Sequence, residues 1–373
     1  MARTTNWAHV LVALFIYRSV VSVAAQTVIP GFTTLGDSQR WQTSAFAMPS
    51  DWFLQSNYIT QNIGAVLGWL GFGNAVLINL GFQTIAFVGL ARLILCITPD
   101  LRWRLLPLFF LPSFTMWTSV ASKEAILVFA VSNLVVYAVA LHRERVLPRP
   151  SEVLSALLVF VFKVHYMPAL LLLIGVAAVG RYVRPAALVA LVAGVVSLAT
   201  LYVFRERISE LSFQLLPHFV WGRSTREAFW TSQYDVFARA PYGMWQGFMG
   251  PSLTEALEAV NVLHVIAYVE GLVMLAMLLY LLVSNLPKLP IYGFFVSAFT
   301  LFWILFPNYP FGILNPGSAV RYRSGFVVLV FAIFAIFLCH RFYIGTPHVA
   351  PPKYARGSAP RTLPGGVAAL RKT

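Results

Sequence analysis

The sequence predicts an all-α membrane protein, a polytopic bundle of transmembrane helices. Hydrophobic residues make up 59% of the 373 residues and charged residues only 11%, which is more apolar surface than a water-soluble domain can bury. Several apolar runs approach the roughly 20 residues that a helix needs to cross a bilayer core of about 30 Å. Short alternating segments typical of barrel strands are absent, so we expect helices.

About ten spans are expected, and the first six include short, broken hairpins. The first span is 7–25, after which 26–60 forms an external loop, and 61–72 is ambiguous between a span and a helix along the interface. The second span is 73–98. Two helical hairpins follow, and each has a polar break at its external tip. The first hairpin is 103–141, with the break SFTMWTSVASKE, and the second is 151–180, with the break KVHYMP.

The remaining spans are separated by longer external segments. They are expected at 185–204, 260–283, 291–306 and 324–342. The external segments between them are 205–259 and 307–323. Residues 1–342 therefore form one transmembrane domain in this interpretation. The tail, 343–373, is rich in Pro, Gly, Ala and Arg, and we expect it to be a disordered, basic, cytoplasmic segment.

The charge distribution orients the chain. The loops and the termini assigned to the inside carry sixteen Lys and Arg against three acids, whereas the rest carries eleven cations and ten acids. An inside excess of thirteen accounts for nearly all of the net charge of +14, as the positive-inside tendency predicts. No nucleic-acid partner is needed to explain the charge. We expect a multi-pass protein of a bacterial plasma (inner) membrane, with both termini cytoplasmic and its active face external or periplasmic.

In this topology, polar residues collect on the external face. Charged groups at membrane depth are costly, so those that are retained are functional candidates. Two arginines in AVRYRSG and two lysines at hairpin tips are suited to binding a phosphate or pyrophosphate, and a carboxylate nearby could act as a base. An interfacial anchor is an equally good interpretation of each single charge. The set is Asp37, Arg40, Lys123, Glu124, Lys163, His165, His218, Arg321 and Arg323.

Two ions lie inside long apolar runs. They are Arg18 in the first span and Glu270 in the eighth, and we expect them to pair with each other as a structural salt bridge rather than to act as a relay. Several motifs are absent, including a Walker loop, HExxH, paired CxxC, GxSxG and DxD. Nucleotide, zinc and serine-hydrolase functions therefore lack support.

Four short motifs resemble the GT-C glycosyltransferases, which use polyprenyl-phosphate-linked donors. GDSQRW is similar to the acid-bearing first external loop of that superfamily, and LPSFTMWTSVASKE to its P-S, W-S and K-E signature. KVHYMP is similar to its R/K-P-H hairpin tip, and NPGSAVRYR to its last external turn. The matches are spread from about residue 7 to 342. Asp37 stands alone where these enzymes often have a doubled acid.

The resemblance implies inverting transfer of a sugar or oligosaccharide to a glycan or lipid acceptor of the cell envelope. Asp37 would be the catalytic base, and the donor phosphate would contact Lys123, Lys163, His165, Arg321 and Arg323. Arg40, Glu124 and Tyr322 would support them. No metal ligand set is expected, because one carboxylate is a poor cage for Mg²⁺ or Mn²⁺, although a divalent metal stays open as an alternative.

Three alternatives remain open. A monosaccharide transferase and an O-antigen-type repeat-unit polymerase would need the same external cations. A transporter or flippase of an anionic lipid-linked substrate predicts internal repeats and broken helices at the midplane, and no convincing repeat is found. An accessory subunit without chemistry would tolerate the loss of Asp37.

Overall fold

A computed structural model gives the fold of most of the chain. It describes residues 7–31, 37–47, 55–97, 99–143, 147–179, 186–220, 226, 230–258, 262–285 and 291–333. Within these ranges the regular structure is entirely helical, as the sequence predicts, and no strand is formed. The tail, 343–373, lies outside them.

The described residues up to 179 form nine α-helices and two short 3₁₀ helices. The α-helices are α1 (Trp7–Thr27), α2 (Ser38–Gln42), α3 (Ser56–Leu70), α4 (Ala75–Cys96), α5 (Pro99–Phe109), α6 (Pro112–Thr118), α7 (Lys123–Arg143), α8 (Pro150–Phe162) and α9 (Met167–Val179). The 3₁₀ helices are Ile29–Gly31 and Val164–Tyr166.

Eight α-helices follow in the described part of 186–333. They are α10 (Ala186–Val203), α11 (Arg205–Val220), α12 (Asp235–Ala238), α13 (Ala240–Met249), α14 (Leu253–Glu258), α15 (Val262–Asn285), α16 (Ile291–Gly312) and α17 (Pro316–Ile333).

Five of these helices are long and apolar enough to cross a membrane, namely α1, α4, α7, α15 and α16. Two bent pairs, α8 with α9 and α10 with α11, raise the number to seven if each pair is one span. Since α8 and α9 have 13 residues each, each is about 20 Å long at 1.5 Å per residue, too short to cross alone. The chain is thus a helical protein of membrane character, and the count of ten spans stays a prediction.

The contacts between the long helices show which of their ends meet. Gln26 near the end of α1 bonds Asn79 near the start of α4, at 3.3 Å between Oε1 and Nδ2. Asn79 also accepts a hydrogen bond from the backbone N–H of Ala121, just before α7, at 2.8 Å. The end of α1 and the beginnings of α4 and α7 therefore lie at one end of the bundle.

Three more helix ends reach the same place. The turn between α8 and α9 meets the last part of α16, where His165 Nε2 lies 3.3 Å from Asn308 Oδ1. The beginning of α17 meets the beginning of α7 through Arg321 and Glu124. We call this the site end, formed by residues 26–31, 37–42, 74–79, 118–124, 163–166 and 308–323.

One boundary differs from the sequence expectation at the site end. The sequence predicts an external segment over 307–323, because Pro and Gly are frequent there. In the structure, α16 continues through Pro307 and Pro310 to Gly312, and α17 begins at Pro316. Only three residues, 313–315, turn the chain. Arg321 and Arg323 consequently lie on a helix.

Candidate functional site

A cluster of charged side chains lies at the site end, with Arg321 at its centre. Arg321 Nε donates a hydrogen bond to Glu124 Oε1 at 2.9 Å, and its Nη2 lies 3.7 Å from Asp37 Oδ2. The two carboxylates differ in access, since the side chain of Asp37 is 54% exposed and that of Glu124 is 3% exposed. A substrate can reach Asp37, whereas Glu124 is a buried partner that fixes the guanidinium.

Asp37 is positioned by the short helix α2, which begins at the next residue. Trp41 in this helix is buried and anchors it. Its carbonyl oxygen packs so closely on α3 that a Cβ at Gly64 would lie 2.2 Å from it, so only glycine allows this approach. The helix that carries Asp37 is therefore fixed against α3.

A network of amides ties α2 to the rest of the site end. Gln42 Nε2 donates to Gln26 Oε1 in α1 and to Asn79 Oδ1 in α4, both at 2.9 Å. The same Asn79 oxygen accepts the hydrogen bond from the N–H of Ala121. Buried amide groups cost free energy unless they are hydrogen-bonded, so this shared network fixes α2 relative to the beginning of α7.

Lys123 is the first residue of α7 and lies beside Asp37. Its Nζ donates a hydrogen bond to Ser56 Oγ, at the beginning of α3, at 3.0 Å. It is close enough to Asp37, Arg40 and Arg321 to interact electrostatically with each. The Lys123 ammonium has three N–H donors, and the Ser56 hydroxyl takes one of them. The other two are available to bind an anionic ligand.

Lys163 lies in the sharp turn between α8 and α9, and it is buried. Its Nζ is 3.9 Å from the centre of the Tyr322 ring and 5.6 Å from that of Phe311, both cation–π distances. It also interacts electrostatically with Glu124 and Arg321. The aromatic walls hold the ammonium in place while the carboxylate balances part of its charge.

His165 lies near Lys163, and its ring contacts the uncharged side chains of Phe311 and Asn308. Its ring stacks on Phe311, with centroids 5.4 Å apart, and its Nε2 donates to Asn308 Oδ1. The remaining predicted residues are supporting groups in the same region. The Arg40 guanidinium lies 5.0 Å from the centre of the neighbouring Trp41 ring, and Tyr322 supplies the ring under Lys163. The side chain of His218 is outside the described part.

The cluster has an excess of positive charge. Arg321, Lys123 and Lys163 interact with one another and with two carboxylates, those of Asp37 and Glu124, which leaves one positive charge uncompensated. Arg40 adds a further cation near Lys123. Guanidinium and ammonium groups around a surplus charge favour a phosphate or pyrophosphate ligand.

Arg323 does not join this cluster, although the sequence places it beside Arg321 in the same predicted phosphate site. Its guanidinium is buried and pairs with Glu270 Oε2 at 3.2 Å. It also donates to the backbone oxygens of Met249 at 2.7 Å and Ala267 at 3.1 Å. The reason is helical geometry, because two residues apart on a helix means about 200° around its axis, so Arg321 and Arg323 point to different sides of α17.

The prediction that Arg18 and Glu270 form a salt bridge with each other is wrong. Glu270 accepts hydrogen bonds from the N–H and the hydroxyl of Ser113, at the beginning of α6, in addition to pairing with Arg323. Arg18 Nη2 instead donates to the carbonyl and the hydroxyl oxygen of Thr118, at 2.9 and 3.0 Å. The two ions thus serve opposite ends of α6, a carboxylate at its N-terminus and a guanidinium at its C-terminus, as the helix dipole favours.

Sequence reasoning did not identify three residues of the site. Ser56 accepts the hydrogen bond from Lys123, Asn308 accepts that from His165, and the Trp117 ring lies 5.5 Å below the Arg321 guanidinium. Ser56 and Asn308 carry no motif, and only the tertiary fold brings them to the cations. Trp117 belongs to the W-S pattern, but its role could not be assigned without the position of α17.

Metal ligation has no candidate cluster where the chain is described. No group of three or more His, Cys, Asp or Glu side chains lies close enough there to hold a metal ion. The two acids of the site instead share one arginine, Arg321.

Comparison with known proteins identifies no relative. No protein-family model matches the chain, and neither a curated protein nor a solved structure matches it. The class that the fold defines is therefore an all-helical protein of membrane character with a cationic cluster at one end of its helices. Any function must be argued from that cluster.

Proposed function

We propose that this protein is a membrane glycosyltransferase of the GT-C type, acting in cell-envelope polysaccharide synthesis. It transfers a sugar or oligosaccharide from a polyprenyl phosphate or pyrophosphate donor to a glycan or lipid acceptor, with inversion at the anomeric carbon. The observation that carries this proposal is the accessible carboxylate of Asp37 beside a group of cations with surplus charge.

In this mechanism Asp37 takes the proton of the acceptor hydroxyl as that oxygen attacks the anomeric carbon. The bond from this carbon to the phosphate oxygen breaks, and the leaving phosphate gains negative charge. Arg321 and Lys163 stabilise that charge, because they are already fixed by Glu124 and by aromatic rings and need little reorganisation. Lys123 adds a third cation near Asp37.

The finer topology belongs to the same proposal. The chain crosses a bacterial inner membrane about ten times, with both termini in the cytoplasm and the site end on the periplasmic or external side. The clustering of helix ends at the site end supports this arrangement, because the predicted external residues Asp37, Lys123, Lys163 and Arg321 all lie there.

The experiment must distinguish transfer from transport. The purified protein is placed in liposomes with radiolabelled polyprenyl-phosphate-linked sugars extracted from membranes of the source organism. The proposal predicts formation of a new glycosidic bond and release of polyprenyl phosphate or pyrophosphate in equal amount. Movement of labelled lipid across the liposome membrane without a new bond would instead establish a flippase.

Two variants make the result specific to the site. Arg321→Met should abolish bond formation, whereas Arg207→Met, which removes an exposed arginine of α11 paired only with nearby Glu210, should not change it. Equal product from wild type and Arg321→Met would contradict the proposal.

A further inference from the structure

An apolar groove runs along the outer side of α3, α4 and α7. Its upper part has a volume of about 670 Å³ and is lined by Ile59 and Ile63 of α3 and Ile85 of α4. A second part, of about 350 Å³, shares Ile63 and Ile85 and continues down to Ile126 of α7. Because both parts share these residues, they form one continuous surface, which we call the lateral groove.

The lateral groove lies near one of the cations. Ile126 lies three residues after Lys123 on α7, and Ile59 lies three residues after Ser56 on α3, so each is on the same helix face as the polar residue. Lys123 and Ser56 are joined by their 3.0 Å hydrogen bond. Lys123 and Ser56 thus lie about one helical turn from the lining residues Ile126 and Ile59, which puts an ammonium group near the lateral groove. An anionic lipid headgroup needs a cation in such a position.

A second apolar space lies between α1, α6, α15 and α17. This central cavity has a volume of about 240 Å³, and its lining includes Ala24, Trp117, His264 and Val320. It shares no lining residue with the lateral groove.

The central cavity lies near a different cation. Trp117 forms part of its wall, and the Arg321 guanidinium lies 5.5 Å from the centre of the Trp117 ring. Val320 immediately precedes Arg321 on α17. Asp37 is close to both of these cations: it pairs with Arg321 at 3.7 Å and interacts electrostatically with Lys123.

From these two apolar spaces, each near a different cation of the same cluster, we infer that the acceptor, like the donor, is a polyprenyl-phosphate-linked glycan. This inference rests on the proposed function and makes the protein a polymerase of lipid-linked units. The donor chain occupies the central cavity, since its leaving phosphate needs the two cations Arg321 and Lys163. The acceptor chain occupies the lateral groove, with its phosphate at Lys123.

The reaction balances without a further reactant. The bond between the donor's anomeric carbon and its phosphate oxygen breaks, and the electron pair stays on the phosphate. The acceptor hydroxyl oxygen bonds to that carbon, and its proton goes to Asp37. The products are a lengthened lipid-linked glycan in the acceptor position and a free polyprenyl phosphate or pyrophosphate in the donor position.

The test counts lipids bound to the full chain by native mass spectrometry, with undecaprenyl phosphate as the probe. Wild type should bind two equivalents, and undecaprenol, which lacks the phosphate, should not bind at the same concentration. Ile63→Trp, which fills the lateral groove, should lose one equivalent, and Ala24→Phe, which fills the central cavity, should lose the other. Val192→Trp, on an exposed position of α10, should keep both.

The inference would be overturned if wild type bound only one undecaprenyl phosphate, or if Ile63→Trp and Ala24→Phe each still bound two. If Ile63→Trp does not fold, Ile85→Phe tests the same groove. The count requires no turnover, so its failure is distinct from failure of the proposed function. A chain that binds one lipid and still transfers sugar keeps the function and loses the lipid-borne acceptor.

Discussion

Arg321 Nη2 lies 3.7 Å from Asp37 Oδ2, longer than a hydrogen bond, whereas Arg321 Nε is hydrogen-bonded to Glu124 at 2.9 Å. The guanidinium is therefore fixed by the buried acid and only attracted by the exposed one. Asp37 keeps its oxygens available for a substrate hydroxyl while Arg321 faces the place where a phosphate would lie.

Replacement of Arg321 by lysine should impair the proposed reaction and preserve the fold. A lysine keeps the charge beside Glu124 but loses the planar fork that reaches Asp37 and Glu124 together. We expect kcat to fall by about 10²- to 10³-fold, the effect of removing one charge-stabilising donor. Steady-state kinetics on labelled donor, with thermal unfolding in parallel, measure it.

The matched control for that variant is Arg323→Lys. This change affects the buried pair with Glu270 and should lower stability with little effect on kcat per folded molecule. If Arg323→Lys lost as much kcat as Arg321→Lys, the assignment of the two arginines to different sides of α17 would be wrong.

Glu124→Gln should be strongly destabilising. Glu124 is buried and balances Arg321 and Lys163, so the amide leaves a buried lysine and a partly buried arginine that repel each other. Removing one partner of a buried pair costs about 3–5 kcal/mol. The free energy of unfolding in mild detergent with added denaturant gives this quantity.

A second substitution tests the cause of that loss. Adding Lys163→Met to Glu124→Gln removes one of the two unbalanced cations and should recover part of the stability. Non-additivity is expected because the residues share one network. Strictly additive losses would show that Lys163 and Glu124 do not interact.

The chain arrangement at the site end could be predicted from sequence, but the side-chain partners could not. Alternating apolar runs and basic loops place Lys123, Lys163 and Arg321 on one side, because a hairpin returns its tip to the face that it left. The i, i+2 spacing of Arg321 and Arg323 was interpreted as a turn, since Pro and Gly surround it. If the segment is instead treated as a helix, the same spacing predicts that the side chains of Arg321 and Arg323 point to different sides of it.

The partners of the intramembrane ions were unpredictable for a different reason. Arg18 bonds a backbone carbonyl at the end of α6, and every residue offers a carbonyl, so nothing in the sequence marks Thr118 as the acceptor. The hydrogen bonds that Ser56 and Asn308 accept are likewise not marked by any sequence pattern. Their positions follow from packing between distant helices rather than from any local pattern.

The clamp between Arg226 and Glu255 should make stability depend on pH. Partial burial tends to raise the pKa of Glu255, but hydrogen bonds from Arg226 and from the Ser252 N–H outweigh it and leave that pKa below its usual value. Arg226 also donates to the carbonyls of Gly312 and Ile313, so the clamp holds the turn before α17.

A carboxyl whose pKa is lowered on folding contributes stability above its unfolded pKa of about 4.3 and loses it as pH falls through the lower folded value. Unfolding measured from pH 6 downward should therefore show declining stability below about pH 4.3. Glu255→Gln should be less stable at pH 6, by about 1.5–3 kcal/mol for the charged hydrogen bonds, and should decline less steeply with acid. A slope unchanged by Glu255→Gln would refute the assignment.

The most direct test of the central claim compares Asp37→Asn with Asp37→Glu in a single-turnover assay on labelled polyprenyl-phosphate-linked sugar, with undecaprenyl phosphate binding measured on the same samples. If Asp37 is the base, Asp37→Asn binds the lipid phosphate as wild type does, yet its rate of bond formation falls by about 10²- to 10⁴-fold. Asp37→Glu, which keeps a carboxylate, retains part of the rate. Bond formation by Asp37→Asn at the wild-type rate would contradict the account.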